Sequence, residues 1–522
     1  MRRSDTVSDT ATVSDTAFES LISRAELRTV YIALMMVIGL GALDQSIVAT
    51  ALPQIVSDLG GVTRLSWVVT AYILTSTATM PLYGKLSDQY GRRPMIFVAV
   101  AVFLLGSILS GLAQTMTQLI LFRAIQGLGA GGFLPLAQIT IGDLVSMRQR
   151  GRYQGLFASI FAVSSVTGPV IGGVITEDLS WHWIFYVNLP FGVAAMAMIW
   201  VALRRPHERR GRRIDYAGAV LLTGATTLAL LALSLGGNSY AWESPEIIGF
   251  ALAAVATGIL LVIRERLAPE PILPLHLFRN RVFVVACLVL SLTFMAMMGA
   301  GTFFPVFFQL VLGIAPTHSG LLTGPFMLGI MTSSIFGGRM VARTGRYKPL
   351  QLVGVSVAVL SFAALTAGAW LDGGIPAIEP ALVTLGLGLG LVTPNMTIAI
   401  QNALSREDMG VGTATSAFFR SLGGVVGVAG SGAIMSSRLR SQLAMGPNQD
   451  VSAALNGGLR QLTALSGSAH ETVVAIYRHA LATTFLADVF VAAAALALLF
   501  FLPELPLRAF RDPLPAKIIE GD

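Results

Sequence analysis

The stretch GKLSDQYGRRP, residues 84–94, lies between two apolar runs. Its outline returns 254 residues later as GRMVARTGRYK, residues 338–348, where Gly84, Gly91 and Arg92 fall on Gly338, Gly345 and Arg346. A second echo has nearly the same offset: GLGAGGFLP (127–135) meets GLGLGLVTP (386–394) 259 residues on, matching Gly127, Gly129, Gly131 and Pro135. Repetition at a fixed interval marks a duplicated structural unit. The matched segments are predicted to cross a membrane in the same sense. They are then parallel repeats, the relation found between two helix bundles that rock about a central site.

What surrounds these segments is apolar. Of the 522 residues 54% are hydrophobic and only 12% charged, and the mean hydropathy is +0.72. A helix needs about 20 mainly apolar residues to cross the hydrocarbon. Apolar runs give fourteen predicted spans, near 29–55, 65–84, 94–113, 116–140, 153–176, 184–203, 216–236, 246–263, 282–311, 319–341, 350–371, 379–401, 411–435 and 481–502. The seventh and eighth have no counterpart in the repeat. The fold class is therefore an all-α polytopic membrane protein: two six-helix bundles, 29–205 and 282–505, flanking an inserted two-helix hairpin with its connectors, 206–281. Tails at 1–28 and 506–522 are expected to be cytoplasmic, and a more polar segment, 436–480, is expected outside and partly helical.

The charges fix the orientation. With both termini inside, 28 of the 35 Lys and Arg fall in or beside inner loops. Five lie outside (Arg64, Arg438, Arg440, Arg460, Arg478) and two within the membrane (Arg123, Arg420). This positive-inside bias accounts for the net charge of +7, so no nucleic-acid partner is implied. The one cysteine, Cys287, sits in an apolar run and excludes both an internal disulfide and a cysteine-built zinc site. No metal site is expected. The first 28 residues lack an apolar core, so no cleaved signal peptide is expected.

Within the first span, GALDQSIVATALP (41–53) places Asp44 about 22 Å along a hydrocarbon core about 30 Å thick. A carboxylate there costs roughly 2.5–3.5 kcal/mol on insertion scales. Arg123 in span four falls at a similar depth. A nearby cation favours the ionised acid while desolvation favours the neutral one. The pair reads either as a proton carrier with its partner or as a permanent structural ion pair.

Taken together, these residues carry a resemblance. GKLSDQYGRRP, LILFRAIQGLGAGG (119–132) and TGPVIGG (167–173) are similar to the loop signature, span-four arginine motif and antiporter motif of the major facilitator superfamily (MFS). LDQSIVATALP, WHWIFYVNLPFG (181–192), PILPLHLFRNRVF (271–283) and FRSLGGVVGVA (419–429) resemble its fourteen-helix drug:proton antiporter (DHA2) branch. The resemblance implies proton coupling through Asp44 and Arg123. It implies a conformational switch at Gly84, Asp88, Gly91, Arg92 and Arg93, with Arg92 pairing Asp143. It also implies a tight seam between the halves at Gly168, Pro169, Gly172 and Gly173. Ala342 stands where the second half would repeat Asp88, so only the first half keeps an acidic latch. His182 replaces the family's usual arginine and offers a group that titrates near neutrality. Phe303, Phe304 and Asn395 are candidate pocket residues beside Asp44. Asp488, in a span expected to be peripheral, is a candidate second acid.

No GxxxxGK[ST] loop occurs, so no nucleotide or other cofactor is expected and the energy source is expected to be a gradient, which the resemblance implies is one of protons. Scattered histidines and the absence of HExxH and GxSxG argue against an enzyme. The expected function is proton-coupled antiport of drug-like lipophilic or cationic molecules across the cytoplasmic membrane. The alternatives are a lipid or metabolite exporter working with an external partner at 436–480, and an importer.

Overall fold

The computed structural model describes residues 23–60, 64–203, 215–237, 240–314, 316–405, 407–444 and 468–507. Fourteen helices run through them. In the first bundle these are α1 (Arg24–Leu59), α2 (Leu65–Tyr90), α3 (Arg92–Gly111), α4 (Met116–Ala130, resuming as Phe133–Leu144), α5 (Met147–Asp178) and α6 (Trp183–Tyr186, resuming as Asn188–Ala202). The hairpin is α7 (Tyr216–Leu235) and α8 (Pro245–Leu267). The second bundle is α9 (Arg281–Val306, closed by a π-turn at Phe307–Val311), α10 (Pro316–Thr344), α11 (Lys348–Trp370), α12 (Gly374–Ala403), α13 (Met409–Ala444) and α14 (Ser468–Phe500). Thirteen are long and apolar enough to cross a membrane; α2, rich in Ser and Thr and carrying Lys85 and Asp88, falls short on its own composition.

Three boundaries differ from the sequence reading. Ser23 caps α1 in a capping box with Glu26, so residues 24–28 are helix rather than tail. The segment 436–480, expected outside, shrinks from both ends, because α13 continues to Ala444 and α14 begins at Ser468. Charged Glu471, Arg478 and His479 mask the start of α14 in a hydropathy reading, yet Val473 and Tyr477 on the same turns are buried against Met435 and Leu439. Residues 445–467 lie outside the described residues, as do 1–22 of the first tail and 508–522 of the second.

The repeat is repeated in the packing. Gly127 and Gly131 press α4 onto Tyr72 and Ser76 of α2, while Gly129 presses it onto Ala99 and Phe103 of α3. In the second bundle Gly386 and Gly390 meet Phe326 and Ile330 of α10, and Gly388 meets Gly354 and Ala358 of α11. Each pair is displaced by 254–259 residues, so the glycines serve the same close approaches twice. A Cβ at any of these positions would overlap neighbouring backbone.

Across the halves, α2 packs on α13 and α5 on α10. The close contacts there run from mid-helix at Thr77 to the face holding the start of α1 and the end of α14, here the termini face. Thr77 bonds Ser421 at 2.8 Å, Gly84 abuts Gly410 and Ala414, Gly151 abuts Gly338, and Gly155 abuts Ser334. Further along the same stripes the partners part: Pro169 is exposed, and Gly173, Gly324 and Gly432 meet nothing within 4 Å. The two bundles are closed at the termini face and open toward the far face.

Candidate functional site

Asp44 is sealed inside the first bundle, 1% exposed. Arg123 Nη1 donates to its Oδ2 at 2.5 Å, and its Oδ1 accepts from Gln126 Nε2 at 2.8 Å and Asn188 Nδ2 at 3.0 Å. Gln126 Oε1 takes a second Arg123 hydrogen bond at 2.7 Å. Ser107 Oγ accepts from both Gln126 and Asn188 and donates to the carbonyl of Phe185. Thus α1, α3, α4 and α6 each supply a member. The guanidinium also lies 4.2 Å from the Tyr72 ring centroid. A buried charge pair survives only when its remaining hydrogen-bonding capacity is met, and here the second ring of amides meets it.

This geometry corrects one expectation. Asp44 does not line the cleft between the bundles. Its neighbour Gln45 is the exposed residue, and the ring of Tyr72 lies over Arg123. Gln45, Tyr72, Gln126 and Asn188 were not singled out by sequence; Gln126, one turn beyond Arg123 on the same helix face, is the one whose spacing could have found it.

The switch residues gather at the termini face. Gly91, with φ of +97°, makes the turn between α2 and α3 that a side chain would strain. Arg92 then reaches Asp143 at 2.8 Å, Ser87 at 2.7 Å and Asp88 at 2.5 Å. The other oxygen of Asp88 accepts from Val411 N–H at 3.0 Å, in the first turn of α13, where the helix dipole favours an anion. One carboxylate thus joins the loop to the opposite half. Arg93 takes no part: it lies over the Trp200 ring at 4.2 Å and donates to the Trp200 carbonyl, inside the first bundle. Sequence reading missed Arg150, fully buried at the start of α5. It donates to the Val145 and Gly142 carbonyls that end α4 and reaches Gln401 of α12 across the seam at 3.3 Å.

The TGPVIGG segment, 167–173, also packs differently from expectation. Gly168 and Gly172 face Ser46 and Thr50 of α1, and Ser46 Oγ donates to the Ser164 carbonyl at 2.9 Å. The close seam is within the first bundle, between α1 and α5. Pro169 and Gly173 point away from it. Of the pocket candidates, Phe304 is 3% exposed and packs on Phe326 and Phe485 inside the second bundle, with Phe303 half-buried against the same cluster. Asn395 is fully buried beside Gly337, its Nδ2 donating to the Leu391 carbonyl. None of the three is brought together with Asp44. His182 stacks on Trp181 with ring centroids 3.7 Å apart, and Trp181 Nε1 donates to Asp58. Among the described residues no group of His, Cys, Asp and Glu is placed to hold a metal.

Residues 34–428 match the Major Facilitator Superfamily. The chain belongs to this family. It is 42% identical over 398 residues to the multidrug transporter protein MdtP of Bacillus subtilis, covering 76% of this chain and 73% of that one. To multidrug resistance protein 3 of the same organism it is 35% identical over 426 residues, covering 80% and 82%. The solved proton:xylose symporter XylE superposes with a TM-score of 0.60 over 92% of this chain and 96% of its own, at 14% identity, a likeness of fold. The protein is a multi-pass membrane transporter of small molecules, not an enzyme.

Proposed function

We propose that this MFS transporter exports drug-like lipophilic or cationic molecules across the cytoplasmic membrane in exchange for protons. The termini face carries the excess of Lys and Arg and is assigned to the cytosol; the cleft then opens outward. The relatives named for multidrug transport support the substrate class.

The observation that carries the coupling is the sealed Asp44–Arg123 pair, its guanidinium covered by the Tyr72 ring. Proton arrival at Asp44 removes the charge that holds Arg123 and leaves a guanidinium buried without its counter-ion. The first bundle then relaxes by rearranging α1 against α4 and α6. Because α1 is tied to α5 through Ser46, and α5 forms the seam with α10, such a shift reaches the interface between halves. Asp88, Arg92 and Arg150 hold that interface closed on the cytosolic side until the change occurs. A proton entering supplies about 2.3 kcal/mol per 100 mV of membrane potential, plus any pH difference.

The test is reconstitution in liposomes with an internal pH dye and an imposed ethidium gradient. Wild type should move protons against ethidium, and Asp44→Asn should not. Full proton-dependent export by Asp44→Asn overturns the role of Asp44. No proton movement by folded wild type overturns antiport and favours the lipid or metabolite exporter.

A further inference from the structure

The second bundle holds its own buried acid. Asp488 on α14 is 3% exposed, so the helix is not peripheral in the way its sequence position suggests. Its carboxyl enters a notch between α9 and α13: a side chain on Gly299 would meet Asp488 Oδ1 at 3.2 Å and Ser431 Oγ at 2.5 Å. Asp488 Oδ2 has no hydrogen-bond partner.

The repeat shows what is missing around it. Moving Asp44 forward by the repeat interval lands in the turn of α9 that contains Gly299. The same operation carries Arg123 to Leu382, Gln126 to Leu385 and Ser107 to Phe362, all fully buried in the apolar cluster that α14 enters through Phe485 and Ala492. Each bundle thus has one buried carboxyl where its first and last helices meet. In the first, a cation and two amides surround it. In the second, those positions are leucine and phenylalanine.

Among the described side chains, the charged or titratable groups on the packed elements are elsewhere engaged or distant, His470 at the start of α14 included. On α9 these are Arg281 and Cys287, and on α11 Lys348, which donates to the Phe500 carbonyl. On α13 Arg420 lies over the Phe294 ring at 4.8 Å and Arg438 is exposed near the far end. On α14 itself, Arg478 pairs with Asp372, His479 faces the Ala475 carbonyl, and Glu471 and Tyr477 lie more than two turns away. None bonds Asp488. A carboxylate without a counter-charge in apolar surroundings is neutralised rather than buried as an ion.

We propose that Asp488 is the exchangeable proton site of the second bundle. It takes up a proton while the bundles stand apart at the far face and releases it when they close there. This assignment rests on the antiport reading above and adds a second acid to it.

The experiment is the ratio of protons moved to ethidium moved, in the same liposomes, for wild type, Asp488→Asn and Asp488→Glu. Asp488→Asn should transport ethidium with the ratio lowered by about half, and Asp488→Glu should restore it. An unchanged ratio in Asp488→Asn overturns the proposal while leaving antiport intact; a wild type that moves no protons defeats the antiport reading instead. If Asp488→Asn proves inactive, infrared difference spectra of wild type on ethidium addition decide. Loss of a protonated-carboxyl band that is absent from folded Asp488→Asn supports the site, and the same band persisting in that variant overturns it.

Discussion

Asp44 and Arg123 are worth more together than either alone. Breaking a buried pair leaves an uncompensated charge and costs about 3–5 kcal/mol, whereas replacing both partners by apolar residues is often near neutral. Arg123→Leu should therefore lower the melting temperature in detergent sharply, and Asp44→Leu with Arg123→Leu should recover most of the loss without recovering export. Recovery of export by the double variant would show the pair to be structural only. His182 behaves differently. Burial pushes its imidazole below the ordinary 6.5, against the opposing pull of Asp58. The unfolded chain then takes up the proton first as the pH falls, so the associated stability is present at neutral pH and lost below about 6.5. His182→Gln should flatten that slope in pH-dependent melting and leave export between pH 7 and 8 unchanged.

At the scale of elements, two glycine contacts give opposite outcomes. Gly84→Val would drive α2 into Gly410 and Ala414 of α13. It should spread the two helices at the termini face and favour the state open to the cytosol, read as a longer spin-label distance between their cytosolic ends. Gly168→Val would instead separate α5 from α1 inside one bundle. That distance should stay constant while the melting temperature falls. Asp88→Asn weakens the bonds to Arg92 and the Val411 N–H. A charged hydrogen bond contributes about 1.5–3 kcal/mol, so this change should shift the same equilibrium in the direction of Gly84→Val.

The whole molecule is two copies of one bundle with unequal interiors. Cysteines placed at Pro169, Gly173 and Gly432 should react with a membrane-impermeant thiol reagent from outside, while one at Ser334 should stay shielded from it in every state and react only from the cytosolic side once substrate drives the bundles over. Much of this was legible in one dimension. Apolar length gave the helices, repeated glycine spacing gave the two halves, and Gly91 with Arg92 marked the loop that joins Asp143. What stayed hidden was direction. In water a helix shows its buried face by polarity, but lipid and protein interior are equally apolar. A run such as TGPVIGG therefore cannot say whether Gly168 meets α1 or α10, nor FLADVFVA whether Asp488 faces outward or into a bundle. The sequence by itself determined fourteen helices, their duplication and a costly acid in the first. Only the packing decided that Asp44 is enclosed and matched by Arg123, Gln126 and Asn188 while Asp488 is enclosed and unmatched, because those environments are assembled from helices far apart in the chain.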